Sequence, residues 1–183
     1  MPKGTSEDAL SGAGFFRLMF DGLPQEGVLV PGDINVAIVR HGRRDVLLLS
    51  GGDPNAKSHN ETGGFSIRVP DTFEAAVSGF RVCVKLSARA AQGLADSEFS
   101  MAYSTAEVGN SRWQRMSVGN QFETMSFEWD VPTMINGNGD FVGILPGQAG
   151  AIEIAGLAVV AIARPEAPNL ECVPEPLDAS QIS

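Results

Sequence analysis

The sequence predicts an all-β fold, a jelly-roll β-sandwich of about nine antiparallel strands, and three observations predict it. Apolar residues recur with a period of two in one run after another. Each run is short. The segments between them are built from Gly, Pro, Asn and Asp, with 21 glycines and 11 prolines in 183 residues. A period of two belongs to a strand with one buried face, and regularly spaced turn formers are the punctuation of a sandwich or barrel. No stretch has the length and 3.6-residue period of an amphipathic helix; AAQGLADSE is interrupted by a glycine and too short.

Taken in order, INVAIV (34–39) and DVLLLS (45–50) open the sheet and are evenly apolar. They are expected to be buried on both faces or to lie beneath loops, as are DFVGIL (140–145) and IEIAGLAVVAI (152–162). GFSIRVP sets Phe65, Ile67 and Val69 against Ser66 and Arg68. FRVCVKLSA sets Phe80, Val82, Val84, Leu86 and Ala88 against Arg81, Cys83, Lys85 and Ser87. EFSMAYS alternates Phe99, Met101 and Tyr103 with Ser100, Ala102 and Ser104, and MSFEWDV alternates Met125, Phe127, Trp129 and Val131 with Ser126, Glu128 and Asp130. Each of these four reads as a strand with one wet face. SRWQRMSVG supplies a further strand, and GLPQEG, VPGD, SGGDPNAKSHNETGG, NGNGD and LPGQAG are turns.

Three regions follow. Residues 1–14 form an N-terminal arm, 15–163 the sandwich domain, and 164–183 a tail with Pro165, Pro168, Pro174 and Pro176. In that tail Glu166, Glu171, Glu175 and Asp178 face the single Arg164. Too little apolar surface is available there to offset the entropy of ordering, so a flexible acidic extension is expected.

A formal charge of −9 and a pI near 4.6 leave no counterion-releasing basic surface. Nucleic acid and anionic membrane are therefore not expected partners. The N-terminus MPKGTSEDALSGAGFF lacks the pattern of a secretion signal, and no run approaches the 18 or more apolar residues of a membrane span. Cys83 and Cys172 form neither a disulfide framework nor a metal motif. The expectation from these features is a cytoplasmic, reducing location.

The order of the pieces adds a resemblance. RDVLLLSGG, GFSIRVPDTF, SGFRVCVKLSARAA, SEFSMAYST, SRWQRMSVG, FETMSFEWDVP, GDFVGILPG and GAIEIAGLAVVAI follow one another between Val46 and Ile162. This succession resembles the galactose-binding-like jelly-roll superfamily, which includes many bacterial carbohydrate-binding modules. In those domains a strand ending in Ala-Arg precedes a solvent-facing strand, a Trp opens a later one, and an acidic strand closes the sheet. The resemblance implies a non-catalytic module that binds sugars, other ligands or proteins, often attached to an enzyme. Many such modules hold a structural calcium; here Asp53, Asn55 and Asn60 offer oxygens, without the spacing of a dedicated calcium loop. The plain reading of those residues is turn chemistry, and no cofactor is expected.

Catalytic readings are weaker. Arg40-His41-Gly42 after an apolar run is how histidine phosphatases present their nucleophile. Phosphoryl transfer needs several positive donors around the phosphate, in that family including a second, distant histidine. The other histidine, His59, lies in a nearby Gly/Asn loop, and no crossover helix follows Gly42. A β-hairpin turning at Gly42 accounts for the segment. No G-x-S-x-G elbow is present. Glu128 and Asp130 share one strand face at a separation of about 7 Å by the rise per residue, within reach of acid–base work on a glycoside. On a wet face such a pair more often serves solvation.

For a sugar, the useful groups are aromatic platforms and bidentate hydrogen-bonding side chains. Trp129 and Tyr103 fall on core faces, while Trp113, among Ser111, Arg112 and Gln114, can stand partly exposed. Arg81, Lys85 and Arg89 share the wet face of one strand, Ser100 and Ser104 that of the next, and Glu128 and Asp130 that of a later one. If these strands neighbour one another, they make a polar floor of both charge signs. The functional expectation is a non-catalytic module binding carbohydrate at Arg81, Lys85, Arg89, Trp113, Glu128 and Asp130. The alternative is a protein-interaction or assembly module with no small-molecule ligand, and a hydrolase comes third. Cross-strand charge pairing is the plain account of the same face.

Overall fold

The computed structural model describes residues 15–20, 27–53, 64–134 and 139–162. The arm, the tail from residue 164, and Asn55, His59 and Asn60 lie outside the described residues. The elements in chain order are β1 (Phe15–Met19), β2 (Val28–Leu29), β3 (Ile34–His41), β4 (Arg44–Gly51), β5 (Phe65–Arg68), α1 (Asp71–Val77), β6 (Arg81–Ala90), β7 (Asp96–Thr105), β8 (Gly109–Asn110), β9 (Gln114–Gly119), β10 (Glu123–Asp130), β11 (Asp140–Leu145) and β12 (Gly147–Ile162). The nine strands expected from the sequence are β3–β7 and β9–β12. The three additional strands are β1, at the edge of the expected domain, and the two-residue β2 and β8.

All pairings are antiparallel and make two sheets packed face to face, the expected jelly-roll sandwich. One sheet, A, runs β10-β6-β12-β4-β3, with β1 also beside β12. The other, B, runs β2-β5-β11-β7-β8, with β9 also beside β7. Period-two patterning does what strand geometry requires: Val82, Val84, Leu86 and Ala88 of β6 point inward against Phe99, Met101 and Tyr103 of β7 in one core cluster. Burying one such Leu or Val fully contributes about 1.5–3 kcal/mol. Trp129, on the inner face of β10, lies against Tyr103 of the opposite sheet with ring centroids 5.7 Å apart at 41°. Both aromatics are therefore core, as their alternation implies.

VAIVRHGRRDVLLLS is a hairpin. Strands β3 and β4 pair from Ile34↔Gly51 to His41↔Arg44, leaving Gly42 and Arg43 as a two-residue loop. Gly42 has φ +64° and Arg43 does not share the positive φ. This is the type II′ pattern, which demands glycine at its first central position and matches the twist of the strands.

Four expectations need correction. Strand β3 is not buried on both faces: it is a sheet edge, with Asn35, Ala37 and Arg40 exposed. Phe80, placed with the inward residues of β6, precedes that strand and is 48% exposed; its N–H closes a turn onto the Val77 carbonyl at 2.9 Å, so it stands in the turn after α1 and not in the strand's alternation. Ser66, read as wet, is buried. A helix does occur: α1 follows Pro70 and buries Phe73 and Val77, four residues apart, in a segment too short to show a helical period.

The closing strand β12 departs from strict alternation at one point along β6. Its register against β6 slips between Ile154 and Gly156, so Ala155 is an extra residue. That β-bulge lets Ile152 and Ile154 before it, and Leu157 and Val159 after it, all face the core. It also leaves Glu153 on the outer face.

Candidate functional site

The outer face of sheet A holds five of the six expected site residues. Alternation along β6 sends Arg81, Lys85 and Arg89 outward, and the register sets Asp130 opposite Arg81 and Glu128 opposite Cys83. Arg81 Nε donates to Asp130 Oδ1 at 2.7 Å, Nη2 to Asp130 Oδ2 at 3.0 Å, and Nη1 to Glu128 Oε2 at 3.4 Å. The two-pronged bond to Asp130, followed by the charge of both carboxylates, pushes the Arg81 guanidinium further above its already high range. The carboxylates thus hold an arginine between them in cross-strand ion pairs. Lys85 stands exposed between Ser126 and Ala158.

Ser100 and Ser104 do not join this floor. They lie on β7, which belongs to sheet B, because the chain crosses from one sheet to the other between β6 and β7. Trp113 is also separated: it immediately precedes β9 and is half-buried against the core cluster. Arg112 before it adopts φ +58°, rare for a residue with a Cβ, and its N–H bonds Asn110 Oδ1 at 2.9 Å. A Cβ added to Gly64 would meet Trp113 Cη2 at 3.3 Å, so the indole packs close against that backbone.

Arg89 is the expected site residue that lines a cleft. At this end of β6, Glu153 of β12 lies opposite Arg89 in register and is 2% exposed. Its Oε2 accepts from Arg89 Nε at 2.8 Å and from Arg89 Nη2 at 2.7 Å, and His41 Nε2 lies 2.9 Å from it and 3.1 Å from Arg89 Nη2. Its Oε1 accepts from the Gln92 N–H at 3.3 Å. Three N–H donors satisfy both oxygens, as a carboxylate taken out of water requires. The Arg89 and His41 side chains keep 22% and 30% of their surface, so the network is buried at its carboxylate and open at its cations.

Above this floor is a cleft of about 440 Å³ lined by His41, Arg89, Gln92, Leu94 and Asn120 among others. Phe122, exposed, lies over the Arg89 guanidinium at 4.8 Å from ring centroid to Cζ, a cation–π stack that orients both groups. The cleft thus offers the edge of a held guanidinium, an imidazole and two carboxamides, with Phe122 beside its lining and stacked on Arg89. A second cleft of about 440 Å³ shares Leu94 and continues past Glu98, Ser100, Arg115 and Gln148. Both volumes suit a small ligand.

Of these groups the sequence pointed to Arg89. His41 reads there as hairpin and nothing more; the hairpin is real, yet its last strand residue reaches Glu153. The signal for Glu153 is a lone acid in the apolar stretch IEIAGL, and Asn120 and Phe122 sit in a short turn with no signal of their own. For calcium, Asp53 donates its backbone N–H to Asp33 Oδ2 at 3.1 Å, while Asn55 and Asn60 lie outside the described residues. Among the described residues no helix is long and apolar enough to cross a membrane.

No protein-family model and no curated protein matches this chain. Solved structures do. The CBM22-2 xylan-binding domain of Paenibacillus barcinonensis Xyn10C superimposes with a TM-score of 0.58 at 11% identity, over 80% of this chain and 99% of that one. A xylan-binding domain from CBM 22, formerly the x6b domain, gives 0.56 at 15% identity over 82% and 97%. The C-terminal family 22 carbohydrate-binding module of Clostridium thermocellum Xyn10B gives 0.55 at 14% over 81% and 94%. At these identities the likeness shows the jelly-roll β-sandwich fold.

Proposed function

We propose that this chain is a non-catalytic carbohydrate-binding module whose ligand lies in the cleft over Arg89. The observation that carries the reading is the Arg89–Glu153–His41 network beneath an exposed Phe122. A sugar presents hydroxyls that take paired hydrogen bonds and C–H faces that lie on an aromatic ring; the cleft lining supplies the first, and the exposed Phe122 beside it the second. The xylan-binding activity of the structural neighbours supports the ligand class. The two clefts meeting at Leu94 give room for more than one sugar unit.

The experiment is isothermal titration of the full chain against a panel of soluble glycans, xylan among them. Binding to at least one glycan is expected, and Phe122→Ala is expected to weaken it at least tenfold, about 1.4 kcal/mol, with the thermal midpoint unchanged. A folded protein that binds none of the panel refutes the proposal.

The alternative, a protein-interaction module, calls for apolar side chains gathered on one sheet. Among the described residues the exposed large apolar side chains are Leu29, Val30, Phe80, Leu94 and Phe122. Leu94 lines the Arg89 cleft and Phe122 stacks on Arg89 itself, which favours the ligand reading.

A further inference from the structure

The cleft over Arg89 is flanked by the hairpin of β3 and β4, whose end reads Arg40-His41-Gly42-Arg43-Arg44. His41 lines the cleft. Arg44 stands opposite His41 in the antiparallel register, so the two side chains leave the same face of the sheet. Arg43 and Arg44 are both exposed. Among the described residues neither takes part in an ion pair, whereas Arg40 is held by Asp45 at 3.1 Å.

The acids around this end are occupied. Glu153 is 2% exposed beneath Arg89, with three N–H groups on its two oxygens. Glu123, just beyond the turn that carries Asn120 and Phe122, accepts from the Gly119 N–H at 2.9 Å. No carboxylate lines the cleft: besides His41 and Arg89, its polar side chains are the carboxamides of Gln92 and Asn120. Glu153 cancels the formal charge of Arg89 but engages only Nε and Nη2, so Nη1 keeps its N–H groups for a ligand. The uncancelled charge is that of Arg43 and Arg44. In a chain of net charge −9, two unpaired guanidiniums beside a cleft without an acid in its lining reverse the sign locally. Their field reaches a ligand within a Debye length, about 8–10 Å in ordinary salt.

We infer that the sugar taken by the Arg89 cleft is anionic. The charged oxygens of a carboxylate or a sulfate ester lie on Arg89 Nη1 and His41, and a neighbouring charge lies along Arg44 and Arg43. The inference rests on the carbohydrate reading above and adds to it the charge of the ligand. It also gives the Arg-His-Gly-Arg-Arg segment a use: it holds an oxyanion, with no bond made or broken.

The test is isothermal titration of the full chain with matched pairs of oligosaccharides. One pair carries glucuronic or galacturonic acid, before and after reduction of its carboxyls to alcohols; the other carries sulfate esters, before and after desulfation. At least one charged member is expected to bind about tenfold or more tighter than its neutral counterpart, and the pair that shows the preference tells carboxylate from sulfate. That preference is expected to fall at least about threefold between about 0.05 M and about 0.5 M sodium chloride. The double substitution Arg43→Gln, Arg44→Gln changes exposed side chains without partners, so it should keep Tm and cut the preference at least about threefold. Charged and neutral members bound equally, or a neutral glycan bound with no charged one, would overturn this inference and leave the carbohydrate reading standing. A folded protein that binds no glycan overturns both. A preference undiminished in the double variant removes the hairpin from the site, and a single-stranded oligonucleotide bound more tightly than any glycan contradicts the ligand class.

Discussion

Replacing Arg89 should harm the fold more than replacing its partner, and the asymmetry follows from burial. In Arg89→Met the methylene stem is kept and the guanidinium lost. Glu153, 2% exposed, is then left with the Gln92 N–H as its donor and His41 Nε2 close by. Breaking a buried pair so that a charge remains behind costs about 3–5 kcal/mol. His41 still reaches Oε2 at 2.9 Å, so the lower end applies, about 3 kcal/mol. For a domain of this size that lowers Tm by about 6–12 °C. In Glu153→Gln the charge left behind is Arg89, whose side chain keeps 22% of its surface and can turn toward water while stacked on Phe122. The loss is that of charged hydrogen bonds, about 1.5–2 kcal/mol. The double variant should cost less than the sum by at least about 1 kcal/mol, since the two groups share one network. Differential scanning calorimetry of the four proteins decides it. If Glu153→Gln costs as much as Arg89→Met, or the two costs simply add, the carboxylate is not the buried anchor described.

Three further outcomes follow from the same structure. Trp129→Ala removes the ring that bridges to Tyr103 across the sandwich and should destabilise by about 3 kcal/mol in urea titrations, with glycan affinity unchanged, because the indole faces the core. Gly42→Ala forces a Cβ onto φ +64° in the hairpin loop and should cost about 1 kcal/mol, although nothing stands within 4 Å of the new atom. Asp140, its folded value raised by burial to about 6 from 3.8, contributes stability that is full below pH 4 and is lost as pH rises through 6, about 3 kcal/mol in all. Midpoints measured from pH 4 to 7 should show that fall, and Asp140→Asn should flatten it.

The fold was legible because its signals are local. Alternation in FRVCVKLSA and MSFEWDV states which residues face the core, and the Gly42 turn is written in three residues. What failed was either too short or too distant to read. Helix α1 has one apolar pair, Phe73 and Val77, below the length at which a period shows. The slip at Ala155 is invisible until β12 is laid against β6. The site failed for a related reason. Alternation puts Arg81, Lys85 and Arg89 on one face, but which strands stand beside β6 is set by pairings far along the chain. Sequence order offers β7 as a neighbour, whereas the neighbours are β10 and β12. Glu153 and His41 reach Arg89 through those pairings alone, and a polar floor inferred from adjacent strands put Ser100 and Ser104 in the wrong sheet. Trp113 was chosen for its polar neighbours, and they do not reveal that it stands by β9, in the sheet opposite Arg81.

The most direct test of the central claim is a backbone and side-chain NMR titration of the full chain with an oligosaccharide of the glycan it binds. Shift changes gathered on His41, Arg89, Gln92, Asn120 and Phe122 are the expected result, spreading across Leu94 toward Arg115 for longer oligosaccharides. Changes centred on Arg81 and Lys85, or around Trp113, with the Arg89 cleft silent, would contradict it.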